Sequence, residues 1–235
     1  PVRFIYFLHE TPLNDRHLVS VILGRPEVPK HWLLDANVLF SEWSRWLMLA
    51  LARQHGATLY FTPHIENECY RNLVRLGRLH PDDAIVERVE LPQRLNAVLL
   101  PQNHEPYLAD VRQVDEKDRH VAASALALKH QLDHPVGLLT WNLRDFPRKP
   151  LLKLGLVRLS PDELCLELLK DADNIAACLA LSVELMQASW ATQSCMNPTV
   201  YQRKAQPLPR SIEEWLGFLA RNRMHKTAKL LARGQ

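Results

Sequence analysis

Four short apolar runs, widely separated along the chain, constrain the fold more than any other feature. They are His31 to Asp35, Thr58 to Thr62, Val136 to Thr140 and Leu156 to Leu159. Each is too short for a helix and reads as a strand buried in a sheet. Helical spacing fills the gaps between them. Leu39, Trp43, Trp46, Leu47, Ala50 and Leu51 recur at that spacing between Val38 and His55, and Gly56 supplies a C-terminal cap. Pro63 opens a second helix that continues from His64 to Leu79, and Asp82 to Leu100 adds more helix, broken near Pro92. Val121, Ala122, Ala125, Leu126 and Leu128 mark a strong helix before the third strand. Ser160 and Pro161 open another after the fourth.

Strands alternating with helices dictate an α/β fold, a parallel sheet flanked by helices. Beyond about Asp171 the pattern is helical only, with candidates at Ile175 to Trp190, Ser211 to Ala220 and Met224 to Ala232. Three regions follow. Residues 1–30 form an N-terminal arm without a period, set off by Pro26 and Pro29. Residues 31–170 form the α/β domain, and residues 171–235 form a C-terminal helical extension.

Composition excludes several function classes. With 7 Gly in 235 residues there is no GxxxxGK[ST], GxGxxG or GxSxG frame, so three common phosphate-binding or nucleophile devices are missing. The 4 Cys are scattered without a CxxC pair, which points to buried thiols in a reducing compartment. The longest apolar run, Trp46 to Ala52, is far short of a membrane span, and the early run Phe4 to Leu8 lacks a signal-peptide core. A cytoplasmic protein is expected. The formal net charge is only +3. Its basic residues nevertheless gather between Arg144 and Arg158 and after Tyr201, where a polyanion would be drawn.

In an open parallel sheet ligands bind beyond the carboxyl ends of the strands. Acids recur there: Asp35 after the first strand, Glu66 and Glu68 on the helix after the second, Asp115 and Asp118 before the alanine-rich helix, and Asp145 with Asn142 after the third apolar run. No lysine or arginine is among these positions. Two carboxylates about 4 Å apart repel by about 4 kcal/mol at an effective dielectric near 20. Either some stay protonated or a divalent ion lies between them, and oxygen-only ligands suit Mg²⁺ or Mn²⁺. Each acid also has a structural explanation. Asp35 can cap a helix, Glu66 and Glu68 suit a helix N-terminus, Asp115 with Asp118 has capping-box spacing, and Asn142 and Asp145 are turn formers.

Leu33-Leu-Asp35-Ala-Asn37-Val-Leu, then Glu68, then Asp115-Glu-Lys-Asp118-Arg-His120-Val-Ala-Ala, then Leu139-Thr140-Trp-Asn142-Leu-Arg-Asp145-Phe-Pro147 resemble a PIN-domain ribonuclease. The likeness is nearest to VapC-type toxins of bacterial toxin–antitoxin pairs, in a longer subgroup with a C-terminal helical extension. It covers residues 31–170. It implies metal-dependent cleavage of RNA with Mg²⁺ or Mn²⁺, catalysed by Asp35, Glu68, Asp118 and Asp145. Glu66 is the lesser alternative to Glu68. The metal would be held by Asp35, Glu68, Asp115, Asp118 and Asn142, where Asn142 stands in place of the family's common Asp. Asn37, Thr140, Arg144, Arg148 and Lys149 would face the substrate. A small antitoxin partner and a homodimer are further implications.

The implied mechanism is in-line attack of an activated water at phosphorus, leaving a 5′ phosphate; a 2′,3′-cyclic phosphate product would contradict it. The main alternative is a catalytically weak PIN fold that binds RNA or protein. A zinc or acid–base role for His120, with His64, His80 and His104, is a minor rival because HExxH and paired cysteines are lacking. Trp43 and Trp46 are assigned to core packing.

Overall fold

The structure, a computed structural model, describes residues 28–168, 172–196 and 208–233. The N-terminal arm lies almost wholly outside the described residues. Five parallel strands make one sheet: β1 His31–Leu34, β2 Thr58–Phe61, β3 Ala97–Leu99, β4 Val136–Leu139 and β5 Leu156–Leu159, in the order β3-β2-β1-β4-β5. The chain builds outward from β1 to β3, then returns to the other side of β1 to lay down β4 and β5. The reversal opens a crevice between the carboxyl ends of β1 and β4.

Burial on both faces explains why these strands read as unbroken apolar runs. Trp32, Leu33 and Leu34 are buried, as are all four residues of β4. Trp32 is in register with Gly137 on β4. A Cβ at Gly137 would fall 2.1 Å from the Trp32 ring, so only glycine admits the indole there.

Helices α1 Ala36–Phe40, α2 Glu42–His55, α3 Pro63–Arg75 and α4 Pro81–Arg94 follow β1 and β2. The expected helix from Val38 to His55 divides at Ser41, whose extended backbone (ψ 113°) caps α2 through a bond from Ser44 N–H to its Oγ. Helix α3 stops at Arg75, short of Leu79, because Gly77 turns left-handed at φ 63°. Helix α4 is not broken at Pro92 but runs two residues beyond it. Proline there removes one donor from a final turn that is about to end anyway. The segment assigned to helix up to Leu100 instead turns at Asn96 (φ 46°) into β3, which went unrecognised.

Helices α5 Arg119–Leu132, α6 Arg148–Lys153 and α7 Pro161–Leu168 complete the α/β part. The C-terminal region supplies α8 Ala172–Met196, α9 Ile212–Arg221 and α10 His225–Arg233. It shares the main core. Helix α8 packs along α2, α10 packs on α7, and Ile175, Leu179, Val183, Phe218 and Leu231 join the same buried cluster as the sheet. Trp43 and Trp46 are buried in it as well, Trp43 edge-on to Phe218 at 4.7 Å. Cys69, Cys165 and Cys178 are buried free thiols. Among the described residues no helix is long and apolar enough to cross a membrane.

Candidate functional site at the sheet switch point

The crevice between β1 and β4 collects the acids. Asp35 follows β1 directly and caps α1, accepting from Ala36 N–H at 2.7 Å. Its other oxygen accepts from Thr140 Oγ1 at 2.7 Å and from Asn37 Nδ2. Thr140 ends β4, so its hydroxyl reaches Asp35 across the switch point. Asn37 also contacts Thr140 Oγ1 at 3.1 Å and accepts from the Trp141 N–H at 2.9 Å. Asp35 is therefore fixed in orientation by neighbours on both strands. Burial pushes its pKa up to about 6 against these hydrogen bonds, and the charge of Glu68 adds to the rise.

Asp118 closes a 3₁₀ turn, Glu116–Asp118, that leads into α5. It is buried, at 8% exposure. Burial and the charges of Asp35, Asp145 and Glu68 push its pKa up to about 7, and Lys117 opposes the rise. Asn142 ties this acid to the next, donating Nδ2 to Asp118 at 3.2 Å and to Asp145 at 2.6 Å. Its backbone N–H rests on Thr140 Oγ1 at 2.9 Å, which links it to Asp35. Asp145 pairs with Lys117 at 3.0 Å; this cation and Asn142 hold its carboxyl below the usual range. A cation that the four acid positions lacked in sequence is thus supplied from within the Asp115-Glu-Lys-Asp118 segment.

Glu66 and Glu68 part company. Glu66 is buried and bound to Arg88 of α4 at 3.1 Å, a structural ion pair. Glu68 feels the Asp35 and Asp118 charges and lies 3.7 Å from His120 Nε2. His120 stacks on His64 with ring centroids 3.9 Å apart, and His104 stands 6.3 Å from it. Burial and the His64 ring lower the His120 pKa to about 4, so the imidazole facing Glu68 is neutral. His80 is remote from this trio and caps α4.

Asp115 does not join the acids through its side chain. It is exposed and caps the 3₁₀ turn, accepting from Lys117 N–H at 3.3 Å. Arg144, Arg148 and Lys149 are exposed and follow Asn142 closely along the chain. Two participants escaped sequence reasoning: Lys117, a single cation between two acids, and Trp141, whose indole N–H donates to Ser44 Oγ at 2.7 Å.

Hard oxygen donors make this a set suited to Mg²⁺ or Mn²⁺ in chemistry. Asp35 and Asp118 are raised chiefly by burial and further by neighbouring carboxylates, and a cation would offset both causes. Among the described residues, however, no three His, Cys, Asp or Glu side chains are close enough to form a ready metal cage. No family model matches this chain, and no curated protein or solved structure matches it either.

Proposed function

We propose that this chain is a cytoplasmic, metal-dependent endoribonuclease of PIN type and the toxin of a toxin–antitoxin pair. The observation that carries the reading is the hydrogen-bonded chain at the switch point that links Asp35 through Thr140 and Asn142 to Asp118, two acids raised chiefly by burial and further by like charge. Self-repelling acids at a sheet crevice are costly for stability and useful for holding a hard cation. Asp35, Asp118 and Glu68 would hold Mg²⁺ or Mn²⁺, which when bound supplies Lewis acidity at phosphorus and an activated water.

The chain's own groups have distinct tasks. Asn37 and Thr140 hold Asp35 in one orientation. Asn142 keeps Asp118 and Asp145 a fixed distance apart. Lys117 offsets the charge of Asp145. Arg144, Arg148 and Lys149 provide positive charge for the RNA backbone beside the acids. A small antitoxin protein and a second copy of the chain belong to the same proposal as partners.

The test is incubation of RNA with the protein in Mn²⁺, Mg²⁺ or EDTA, alongside Asp35→Asn and Asp118→Asn. Metal-dependent cleavage leaving 5′ phosphates, lost in both variants, supports the reading. Cleavage unchanged in both variants, or 2′,3′-cyclic phosphate ends, overturns it. A second reading is an RNA-binding module without catalysis, to which the spacing of the acids is suited as well, since among the described residues no three of them form a ready cage. RNA binding with no cleavage in any metal would select it.

A further inference from the structure

Next to the acids lies a cleft of about 660 Å³, walled by α1, α2, α8 and the turn between α9 and α10. Its volume is within the range of about 300–1,000 Å³ typical of sites for small organic groups. Asn37 and Trp141, which belong to the strand-end site, also line it, so the two spaces share a wall. The lining combines aromatic rings with arginines. The Arg78 guanidinium lies over the Phe40 ring, 5.0 Å from its centroid. Arg45 is buried and spent on Glu87 at 3.7 Å, but Arg78, Arg221 and Arg223 are exposed and have no carboxylate partner among the described residues.

Two of the three indoles that line the cleft are committed by their polar edges, and the third, Trp43, is buried with its N–H unpartnered among the described residues. Trp190 donates its N–H to Glu42, and Trp141 to Ser44. What they offer a ligand is ring surface. Arg223 holds a left-handed φ of 63° just past the end of α9, where Met224 N–H returns to Leu219 O at 2.9 Å in an ordinary helix-ending turn.

We propose that this cleft receives an unstacked base of the RNA strand next to the cut phosphate, with Arg78, Arg221 and Arg223 on the flanking phosphates. Aromatic faces and guanidinium planes stack on any base, while unpaired arginines track the backbone. The C-terminal helices would thereby form half of the substrate site. This inference rests on the nuclease reading for its substrate but is measurable without catalysis.

The experiment uses the full-length chain in EDTA and a short fluorescein-labelled single-stranded RNA of mixed sequence, with affinity read by anisotropy. The variant combines Arg78→Ala, Arg221→Ala and Arg223→Gly; all three side chains are exposed, and glycine suits the left-handed turn. Its Kd should rise at least about tenfold, and its salt dependence should flatten by about 2 in the log–log slope, at about 0.7 per lost phosphate contact. Thermal melting, run in parallel, should show the fold retained. A single abasic position moved along the RNA should weaken wild-type binding about tenfold at one or two sites near the cut. That arm remains decisive even if the variant fails to fold.

Equal affinity of the folded variant, or an abasic scan without a sensitive position, overturns the proposal and leaves the cleft a seam between helices or a protein-binding surface. If the wild type still cleaves RNA in Mn²⁺, the nuclease reading survives that failure. Base-dependent binding with no cleavage in any metal would retain the cleft assignment and remove the nuclease reading. Neither binding nor cleavage would remove both.

Discussion

Asp35 and Asp162 are almost equally buried, at 4% and 6% exposure, yet they sit in opposite surroundings. Asp162, near the start of α7, accepts from Lys226 N–H, Thr227 N–H and Thr227 Oγ1 at 2.7–2.9 Å, so it clasps the N-terminus of α10. Its neighbour Glu163 has Lys226 at 2.9 Å; burial alone would raise Glu163, but this cation and the Ser160 amide hold it below the usual range. Asp35 also has fixed donors, but its charged neighbours include Glu68 and Asp118, and its pKa is raised. Burial is the larger cause at Asp35, and the company of Glu68 adds to it. Acids matched with amides and cations fasten elements together, whereas acids gathered with other acids wait for a partner from outside.

The largest effect that would sharpen this contrast is on turnover. Asp118→Asn should cut metal-dependent RNA cleavage by about a thousandfold, equivalent to about 4 kcal/mol, as measured by initial rates on labelled RNA. Asp162→Ala should leave the chemistry intact and instead destabilise the fold by about 2–3 kcal/mol in urea unfolding, because it strands buried donors of α10. Equal loss of activity in both variants would break the distinction.

The pH response comes next in size. A carboxyl whose folded pKa exceeds its unfolded value makes the folded state bind more protons, so stability is greatest at low pH and is lost as pH rises. For Asp35 and Asp118 that loss runs from about 4 to about 7. Metal-free protein should therefore lose this contribution across the window, while neutral His120 contributes in the opposite sense, so the loss is read as the difference between the wild type and Asp118→Asn. Asp118→Asn should flatten the fall and stabilise the metal-free protein at pH 8 by about 1–2 kcal/mol. Added Mn²⁺ should offset the loss above pH 7, where the acids are ionised, and not below pH 5. A midpoint with the same pH dependence in the wild type and in Asp118→Asn, both of which keep the opposing contribution of His120, would contradict the arrangement.

The smallest effect belongs to Lys117, which is exposed. Lys117→Ala should slow cleavage about threefold at low salt and by less at high salt, since exposed pairs are screened. A loss as large as that for Asp118→Asn would mean that Lys117 touches the substrate.

Much of this was legible in residue order. Doubly buried apolar strands alternating with amphipathic helices define a parallel α/β sheet, because no other layering hides both faces of such strands. Gly56, Pro63 and Ser160 marked element ends through backbone constraints that act locally. The miss at β3 has a physical cause: three residues give no usable period, and Val98 and Leu99 are half exposed on the sheet edge. The Asn96 turn was the available signal, since asparagine tolerates left-handed backbone. At the site, sequence identified acids at strand ends and ranked Glu68 above Glu66, but gave no sign that Asp115 turns outward or that Lys117 pairs with Asp145.

By itself, then, the order of residues determined the sheet, its parallel sense and the edge on which Asp35, Asp118 and Asp145 gather, because periodicity and caps are properties of neighbouring residues. Only the tertiary structure decided that Arg88 claims Glu66, that Asp115 turns outward as a cap, that Lys117 comes back to Asp145, and that the C-terminal helices wall a cleft beside the acids. Those outcomes depend on which charges from distant segments meet at 3–4 Å. Electrostatic interactions of that kind are set by distance and burial, and neither is encoded in spacing along the chain.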